Sequence, residues 1–257
     1  MWPPPFLYAA SPLVAALTAA CAVTLAVLAF SEFRGANLAY SKFGGAARAG
    51  GAPRLPSRAG MFLIYAPALA AALASFAVEG PRAQLLAAAV AVHFLKRVLE
   101  VLFVHRYSGS MPLGTSLLIS SCYLFNAAAM VYVQHLSHNL QEPAVDLLYP
   151  GLVVFAAGLA GNFYHHLLLS RLRSGAGDKG YKIPRGGLFG LVVCPHYLFE
   201  IVGFVGLAMV SQTVYGLTVA VGSAAYLAGR SRATRMWYAS KFEEFPASVK
   251  ALVPYVW

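Results

Sequence analysis

Long apolar runs, separated by short polar segments, dominate the chain. Each run has about the length, roughly 20 residues, that an α-helix needs to cross the hydrocarbon core of a membrane. Seven runs qualify, and we predict spans at 9–30, 59–79, 84–104, 111–134, 146–169, 187–210 and 212–229. The pattern predicts an all-α polytopic membrane protein, because helices satisfy their backbone polar groups within lipid. Only Ser211, Gln212 and Thr213 separate the last two spans, so these could form one re-entrant unit.

Composition agrees with lipid as the main solvent. Hydrophobic residues make up 59% of the 257 residues and charged residues only 11%, which leaves too little polar surface to cover a soluble globule. The sequence shows no internal repeat of fixed period. We therefore predict a single membrane domain over residues 1–257.

The positive charges are distributed asymmetrically. Sixteen of the 19 lysines and arginines fall in 31–58, 105–110, 170–186 and 230–257, whereas the alternate loops contain only Arg82. Lysine and arginine are enriched in cytoplasmic loops, so these four segments are predicted to be cytoplasmic and the N-terminus lumenal or outside. The N-terminal run lacks a basic leader and is long enough to span, so no cleaved signal peptide is predicted.

Titratable side chains within the predicted spans indicate a candidate site, because a charge in lipid is costly and usually faces the bundle interior. The clusters are His93, Lys96, Arg97 and Glu100 in the third span, Asn162, His165 and His166 in the fifth, and His196 and Glu200 in the sixth. In the third span, Glu100 could pair with Lys96 or Arg97 on the same helical stripe. The clusters predict an interior pocket open to the cytoplasm; the alternative is that they are interhelical polar contacts or snorkelling side chains.

The sequence lacks the common motifs of soluble nucleotide-binding, hydrolase and zinc-protease folds. A bound dinucleotide would therefore meet its phosphates through arginines and lysines of the loops, since these side chains bind phosphate oxygens well. The three cysteines show no spacing typical of disulfides or zinc, so no metal is predicted.

Ordered motifs run through the second half of the chain. They are YKIPRGGLF at 181–189, CPHYLFE at 194–200 and KFEEFP at 241–246. With these motifs, about 106–257 resembles the C-terminal domain of steroid 5α-reductases. The stretch HFLKRVLEVLFVHRYS at 93–108 is similar to the related very-long-chain trans-2-enoyl-CoA reductases. The resemblance implies a seven-helix reductase, usually of the endoplasmic reticulum, that delivers hydride from NADPH to the β-carbon of an enone or enoyl thioester.

The resemblance also implies cofactor contacts at twelve positions. They are Tyr40, Arg106, Asn162, His166, Arg173, Tyr181, Lys182, His196, Glu200, Arg230, Thr234 and Tyr238. Four positions, His166, Lys182, His196 and Thr234, depart from the residues that the family carries there, which are aspartate, arginine, asparagine and histidine. Because histidine can still donate to an amide or a ribose, we expect NADPH to bind with altered contacts.

The substrate side departs further from the family. Steroid reductases carry a Gln-Glu pair where this chain has Ile64 and Tyr65, and a tyrosine where it has Phe94. These three residues are the predicted substrate pocket. Tyr65 and Tyr197 are the candidate catalytic residues, because either phenol could hydrogen-bond a developing enolate oxygen. The alternative for both is a role as a membrane-interface or packing aromatic.

Three functional hypotheses remain from the sequence. The first is an NADPH-dependent reductase of the conjugated double bond of a lipophilic carbonyl compound, with a 3-oxo-Δ4 steroid as substrate. The second is a very-long-chain trans-2-enoyl-CoA reductase. The third is a non-catalytic membrane protein that binds lipid or sterol, because the Gln-Glu pair is missing. The predicted partners are a lipophilic small molecule and membrane lipid, and no nucleic acid.

Overall fold

The computed structural model describes residues 5–43, 53–172 and 180–257. Within these ranges the chain forms seven α-helices and one two-stranded ribbon. The helices are α1 (Pro12–Phe33), α2 (Ser57–Ala74), α3 (Pro81–Leu99), α4 (Leu113–Leu136), α5 (Leu148–Arg171), α6 (Pro195–Ser211) and α7 (Val214–Lys241), and the strands are β1 (Arg54–Pro56) and β2 (Ser110–Pro112). Each predicted apolar run therefore contains one helix.

The apolar composition of the helices establishes a membrane protein. In the described part of the chain, α1, α2 with its 3₁₀ extension, α4 and α5 are both long and apolar enough to cross a membrane, and α6 is apolar but shorter. Large apolar side chains such as Val23, Phe30 and Val153 lie exposed on their outer faces, as expected for helices in lipid. The chain is an all-α integral membrane protein, and the crossing of all seven helices and their orientation stay predictions.

Small residues allow neighbouring helices to approach closely. A Cβ atom on Gly158 of α5 would lie 2.3 Å from the backbone nitrogen of Gly203 in α6, and one on Gly206 would lie 2.4 Å from the nitrogen of Phe155. Close contacts of this kind stabilise the association of helices in membranes, where van der Waals packing, rather than the hydrophobic effect, drives association. α1 packs on α7 and α2 on α4, and α3 contacts α2, α4 and α6. These pairings enclose an interior space.

The sixth helix begins later than predicted. The predicted span started at residue 187, but Gly186 and Gly187 have φ angles of 85° and 51°, and Gly187–Gly190 forms only a 3₁₀ turn. Positive φ angles favour glycine and interrupt a helix. α6 starts instead at Pro195. Proline is favoured at the first position of a helix, because an N–H group there would have no partner within the helix. α7 in turn continues past the predicted boundary at 229 to Lys241.

The reversal between α6 and α7 is a tight turn fixed by Gln212. This residue adopts a left-handed conformation with φ 44°. Its Nε2 donates to the carbonyl oxygens of Pro5 and Val145, and its Oε1 accepts from Arg82 Nη2 and the backbone nitrogen of Leu147. α6 and α7 are thus two separate helices whose connection is tied to the N-terminal segment, α3 and the start of α5.

Two irregular features shape the opposite end of the bundle. α3 ends in a π-helical turn at Glu100–Val104, a feature that is frequent at functional sites. The strands β1 and β2 pair antiparallel, with Leu55 opposite Met111, and Arg54 Nε donates to Ser110 Oγ at 2.9 Å. This ribbon joins the start of α2 to the start of α4 beside the segment that follows α3.

Candidate active site

A cavity of about 700 Å³ lies inside the bundle, within the range of pockets that hold drug-sized ligands. Apolar side chains of α1, α4 and α7 line one part of it, among them Leu25, Met130 and Val219. Polar and charged side chains of α3, α5, α6 and the connecting segments line another part. The cavity can therefore accept a ligand with one apolar and one polar portion.

A buried ion cluster adjoins the cavity through Arg97, the one member of the cluster that lines it. Arg97 Nη1 donates to Glu100 Oε2 at 2.7 Å, and Lys96 Nζ donates to Glu100 Oε1 at 2.8 Å. The Glu100 side chain is only 1% exposed, so the two cations offset the cost of burying its charge. The sequence predicted one such pair, and the structure contains both.

The same arginine contacts Tyr65. Arg97 Nη2 donates to the Tyr65 hydroxyl at 2.5 Å, and the guanidinium carbon lies 4.6 Å from the centre of the Tyr65 ring. Tyr65 stacks on Tyr123 with ring centres 5.7 Å apart, and Phe94 meets Tyr123 edge-on at 5.6 Å. Tyr65 and Phe94, predicted as pocket residues, thus line the cavity with Tyr123. Ile64 is 1% exposed and packs in the core of the bundle, outside the lining.

Asn162, predicted as a cofactor contact, lies outside the cavity lining and joins three helices next to it. Its Nδ2 donates to the carbonyl oxygen of His196 at 2.8 Å and lies 3.5 Å from Glu200 Oε2, while its Oδ1 accepts from Lys96 Nζ. Asn162 and Glu200 are both buried. Side chains from the polar clusters of the third, fifth and sixth predicted spans therefore form one network.

Histidines extend this network. His166 Nδ1 lies 3.0 Å from Arg97 Nη1 and 3.1 Å from Glu100 Oε1, so it accepts from the arginine when unprotonated and donates to the carboxylate when protonated. The His166 ring lies 4.8 Å from that of His105 and 5.4 Å from that of His196. Burial, with His166 and Arg97 nearby, lowers the pKa of His105 far below its usual range. His105 is therefore a neutral imidazole at neutral pH.

Potential ligand atoms of Glu100, His105 and His166 lie within 4.8 Å of one another. This spacing would suit a metal ion, but Lys96 and Arg97 already pair with both oxygens of Glu100. A divalent cation would have to lie against two positive side chains, which is electrostatically unfavourable. The donor set fits an ion-pair network better than a metal centre.

A further cation of the cavity lining, Lys42, lies among three aromatic rings. Lys42 Nζ is 5.1 Å from the ring centre of Tyr238 and 5.9 Å from those of Tyr181 and Trp237. Lys42, Tyr181 and Tyr238 all line the cavity. An ammonium group and aromatic faces together suit a phosphate and a planar base. The sequence predicted Tyr181 and Tyr238 as cofactor contacts but missed Lys42, although it lies two residues after the candidate Tyr40.

Arg230 is held within the protein. Its Nη1 donates to Glu32 Oε1 at 2.9 Å and to the carbonyl oxygen of Leu38 at 3.0 Å, and its Nη2 donates to the carbonyl oxygen of Tyr40 at 3.1 Å. Its side chain is 1% exposed. Arg230 therefore fixes the segment that brings Tyr40 to the cavity, and it lies outside the lining, as does the buried Thr234.

The remaining predicted positions divide by location. Arg106, Lys182, His196 and Tyr197 line the cavity, and Arg106 and Lys182 are also exposed. Arg173 lies outside the described residues. Sequence reasoning missed Tyr123, since an aromatic residue in an apolar helix has no signal that separates a pocket wall from packing.

Two buried nitrogens in the cavity wall lack partners. Among the described residues, Arg97 Nε and His196 Nδ1 make no hydrogen bond, although both residues line the cavity. Buried polar atoms are nearly always paired in native structures. These two nitrogens therefore indicate positions where a bound ligand completes the hydrogen bonding.

Comparison with known proteins identifies the family. A family model described as 3-oxo-5-alpha-steroid 4-dehydrogenase matches residues 112–257. The 3-oxo-5-alpha-steroid 4-dehydrogenase 1 proteins of Macaca fascicularis and Homo sapiens are 34% and 33% identical over 244 residues, which cover 92% of this chain and 90% and 92% of those proteins. A very-long-chain enoyl-CoA reductase of Dictyostelium discoideum is 35% identical over 173 residues, 64% of this chain and 55% of that protein. The resemblance seen in the sequence is confirmed: the chain belongs to the 3-oxo-5-alpha-steroid 4-dehydrogenase family and is an oxidoreductase of carbon-carbon double bonds.

Proposed function

We propose that the protein reduces the conjugated double bond of a 3-oxo-Δ4 steroid with NADPH. The observation that carries this proposal is a single cavity in which an apolar part, a tyrosine hydroxyl held by Arg97, and a part with cationic side chains meet. The apolar part suits a lipophilic ketone, the tyrosine hydroxyl suits the carbonyl oxygen of that ketone, and the cationic part suits a phosphorylated cofactor. The family match supports the same reaction class.

The residues of the polar part fit a dinucleotide phosphate. Lys42, Arg106 and Lys182 place cationic side chains in the lining, and the unpaired Nδ1 of His196 has a hydrogen bond to give or accept. Glu200 also lines the cavity and adds a carboxylate for the neutral portion of such a ligand, and Asn162, outside the lining, contacts Glu200. When bound, NADPH supplies the hydride for the β-carbon of the substrate. Arg230 acts in this proposal by holding Tyr40 in place.

Tyr65 is the proposed catalytic residue on the substrate side. As the β-carbon gains hydride, the bonding electrons of the alkene move toward the carbonyl oxygen, which becomes an enolate. A hydrogen bond from the Tyr65 phenol to that oxygen stabilises the developing charge. A proton then adds to the α-carbon, and the product is the saturated ketone. Tyr197 also lines the cavity, but no hydrogen bond to its hydroxyl is found among the described residues, so we assign it a smaller role.

A very-long-chain enoyl-CoA is the second candidate substrate. The 35% identity to an enoyl-CoA reductase favours it, and an acyl chain would suit the same apolar lining. The thioester oxygen of such a substrate would take the place of the steroid carbonyl at Tyr65.

The experiment offers both substrates to the purified protein in detergent, each with NADPH, and identifies products by mass spectrometry. Two added hydrogens on the steroid alone would support the proposal. Reduction of the thioester alone would replace the steroid by the second candidate. No reduction of either, with no NADPH bound in a direct titration, would refute the enzyme and favour a lipid-binding protein.

Replacement of Tyr65 tests its role. We expect Tyr65→Phe to lower kcat by about 10²–10³-fold, as for the loss of one oxyanion donor, with little change in NADPH affinity. The matched control is Tyr132→Phe, which alters an exposed tyrosine of α4 outside the cavity. Equal losses of kcat in both variants would exclude Tyr65 as the donor.

A further inference from the structure

The contact between Arg97 and Tyr65 determines what the phenol proton can do. Arg97 Nη2 is the donor and the phenol oxygen the acceptor, because a guanidinium has no acceptor site. The Tyr65 proton therefore cannot bond to Arg97 and needs another acceptor. Among the described residues it has none, and Tyr65 lines the cavity. The proton is available to a ligand there.

Arg97 is itself held in place by other groups. Its second terminal nitrogen, Nη1, donates to Glu100 Oε2 at 2.7 Å and lies 3.0 Å from His166 Nδ1. The two nitrogens of the guanidinium fork thus have different partners: one is held by the ion cluster and the other contacts the phenol. A planar fork makes such a connection with little loss of conformational freedom, whereas a lysine ammonium is a single point charge.

We propose that Arg97 is the positioning residue of the reaction, fixing the Tyr65 phenol so that its proton points to the carbonyl oxygen of the substrate. Arg97 occupies one acceptor position of the phenol oxygen, and the substrate takes the O–H. As negative charge develops on the substrate oxygen and polarises the phenol, the guanidinium stabilises the charge that accumulates on the phenol oxygen. This inference rests on the proposed function, since it assumes a carbonyl substrate at Tyr65.

The structure also supplies a matched control. Lys96 pairs with the other oxygen of Glu100 but contacts Asn162 rather than Tyr65. Replacing Lys96 removes a cation from the same carboxylate and leaves the Arg97–Tyr65 contact in place. Effects that pass through Tyr65 can thus be separated from effects that pass through Glu100.

The test compares Arg97→Lys, Lys96→Met and Tyr65→Phe, alone and in pairs. Arg97→Lys keeps a cation for Glu100, so the ion cluster and the fold are preserved, but one ammonium cannot replace both ends of the fork. We expect Arg97→Lys to lower kcat by roughly 10- to 100-fold, the range for loss of a hydrogen bond to a charged group, with unchanged NADPH affinity. In the Tyr65→Phe variant, adding Arg97→Lys should lower kcat no further. Adding Lys96→Met should change kcat by the same factor in the wild-type protein and in Tyr65→Phe.

A spectroscopic measurement adds a readout that does not depend on turnover. The carbonyl stretching band of the bound saturated ketone should shift to lower wavenumber in the wild-type protein and in Lys96→Met, and less in Arg97→Lys and Tyr65→Phe. Unchanged kcat and an unchanged band in Arg97→Lys, with an active wild-type protein, would overturn this inference alone. Losses for Arg97→Lys that persist in full in the Tyr65→Phe background would also overturn it. A wild-type protein that reduces no carbonyl substrate would overturn both this inference and the proposed function.

Discussion

Replacing Glu32 by glutamine would remove the negative charge that the buried guanidinium of Arg230 faces. Glu32 Oε1 accepts from Arg230 Nη1 at 2.9 Å, and the two side chains are 0% and 1% exposed. The carboxylate also accepts from Asn37 Nδ2 and from the backbone nitrogen of Leu38. Glutamine has nearly the same shape, but its amide nitrogen would face one of these donors. The variant therefore tests charge and hydrogen bonding with little change in packing.

The expected loss of stability follows from the burial of the pair. Removing one partner of a buried ion pair costs about 3–5 kcal/mol, because the other charge is left uncompensated. Arg230 would keep its bonds to the carbonyl oxygens of Leu38 and Tyr40, so we expect the lower end, about 3 kcal/mol. For a chain of this length, that corresponds to a fall in melting temperature of about 6–12 °C. Because Arg230 also positions Tyr40 beside the cavity, NADPH affinity should fall as well.

The assay is thermal unfolding of the detergent-purified protein, followed by direct titration with NADPH. The control is Glu142→Gln, the same chemical change at an exposed glutamate in the loop before α5. A melting temperature for Glu32→Gln equal to that of the control would refute the structural role given to the ion pair. Weaker NADPH binding without any loss of stability would instead favour a direct contact between Arg230 and the cofactor.

Two further predictions concern helix packing and the cofactor end of the cavity. Gly158→Val should destabilise the protein strongly, because its Cβ would lie 2.3 Å from the backbone of α6, whereas Gly114→Ala adds its methyl group to open space and should leave the melting temperature unchanged; equal effects would argue against the α5–α6 contact. Glu200→Gln should weaken NADPH binding about tenfold, as for the loss of one hydrogen bond to a charged group, with kcat at saturating NADPH less affected. Glu243→Gln, an exposed change in the C-terminal segment, should bind NADPH normally, and a Glu200→Gln variant with wild-type affinity would remove Glu200 from the cofactor site.

The helices could be predicted from the sequence because lipid imposes a simple rule on them. A segment of sufficient length and apolar character forms a helix in that solvent whatever its neighbours are, and each of the seven predicted runs contains one. Local backbone chemistry modified the ends. The positive φ angles at Gly186 and Gly187 and the proline at 195 delay α6, and these effects act on a few residues that an average over an apolar run does not resolve.

Residue contacts across the bundle were less predictable. Tyr123 and Lys42 line the cavity, yet neither is marked by a cluster or a motif in the sequence. Arg230 was predicted as a cofactor contact from the resemblance, and its pairing with Glu32 depends on how α1 packs against α7. Which helix lies opposite which is decided by small residues such as Gly222 and Gly229, at which an added Cβ would meet α1. Such steric matching appears only once the helices are assembled.

The contacts of α3 depend partly on its own sequence and partly on how it packs against other helices. The spacing of Lys96, Arg97 and Glu100 brings the three charges together on any helix, so both ion pairs were accessible from the sequence. The fold then gives each cation a different second partner: Lys96 reaches an asparagine of α5, and Arg97 reaches a tyrosine of α2. The buried carboxylate of Glu100 therefore holds two cations: Lys96 on the side of the proposed cofactor site and Arg97 on the side of the proposed substrate site. Hydride transfer requires the cofactor and the substrate to be held in a fixed relative geometry. Because both cations are held by one carboxylate on the same helix, their relative position is fixed.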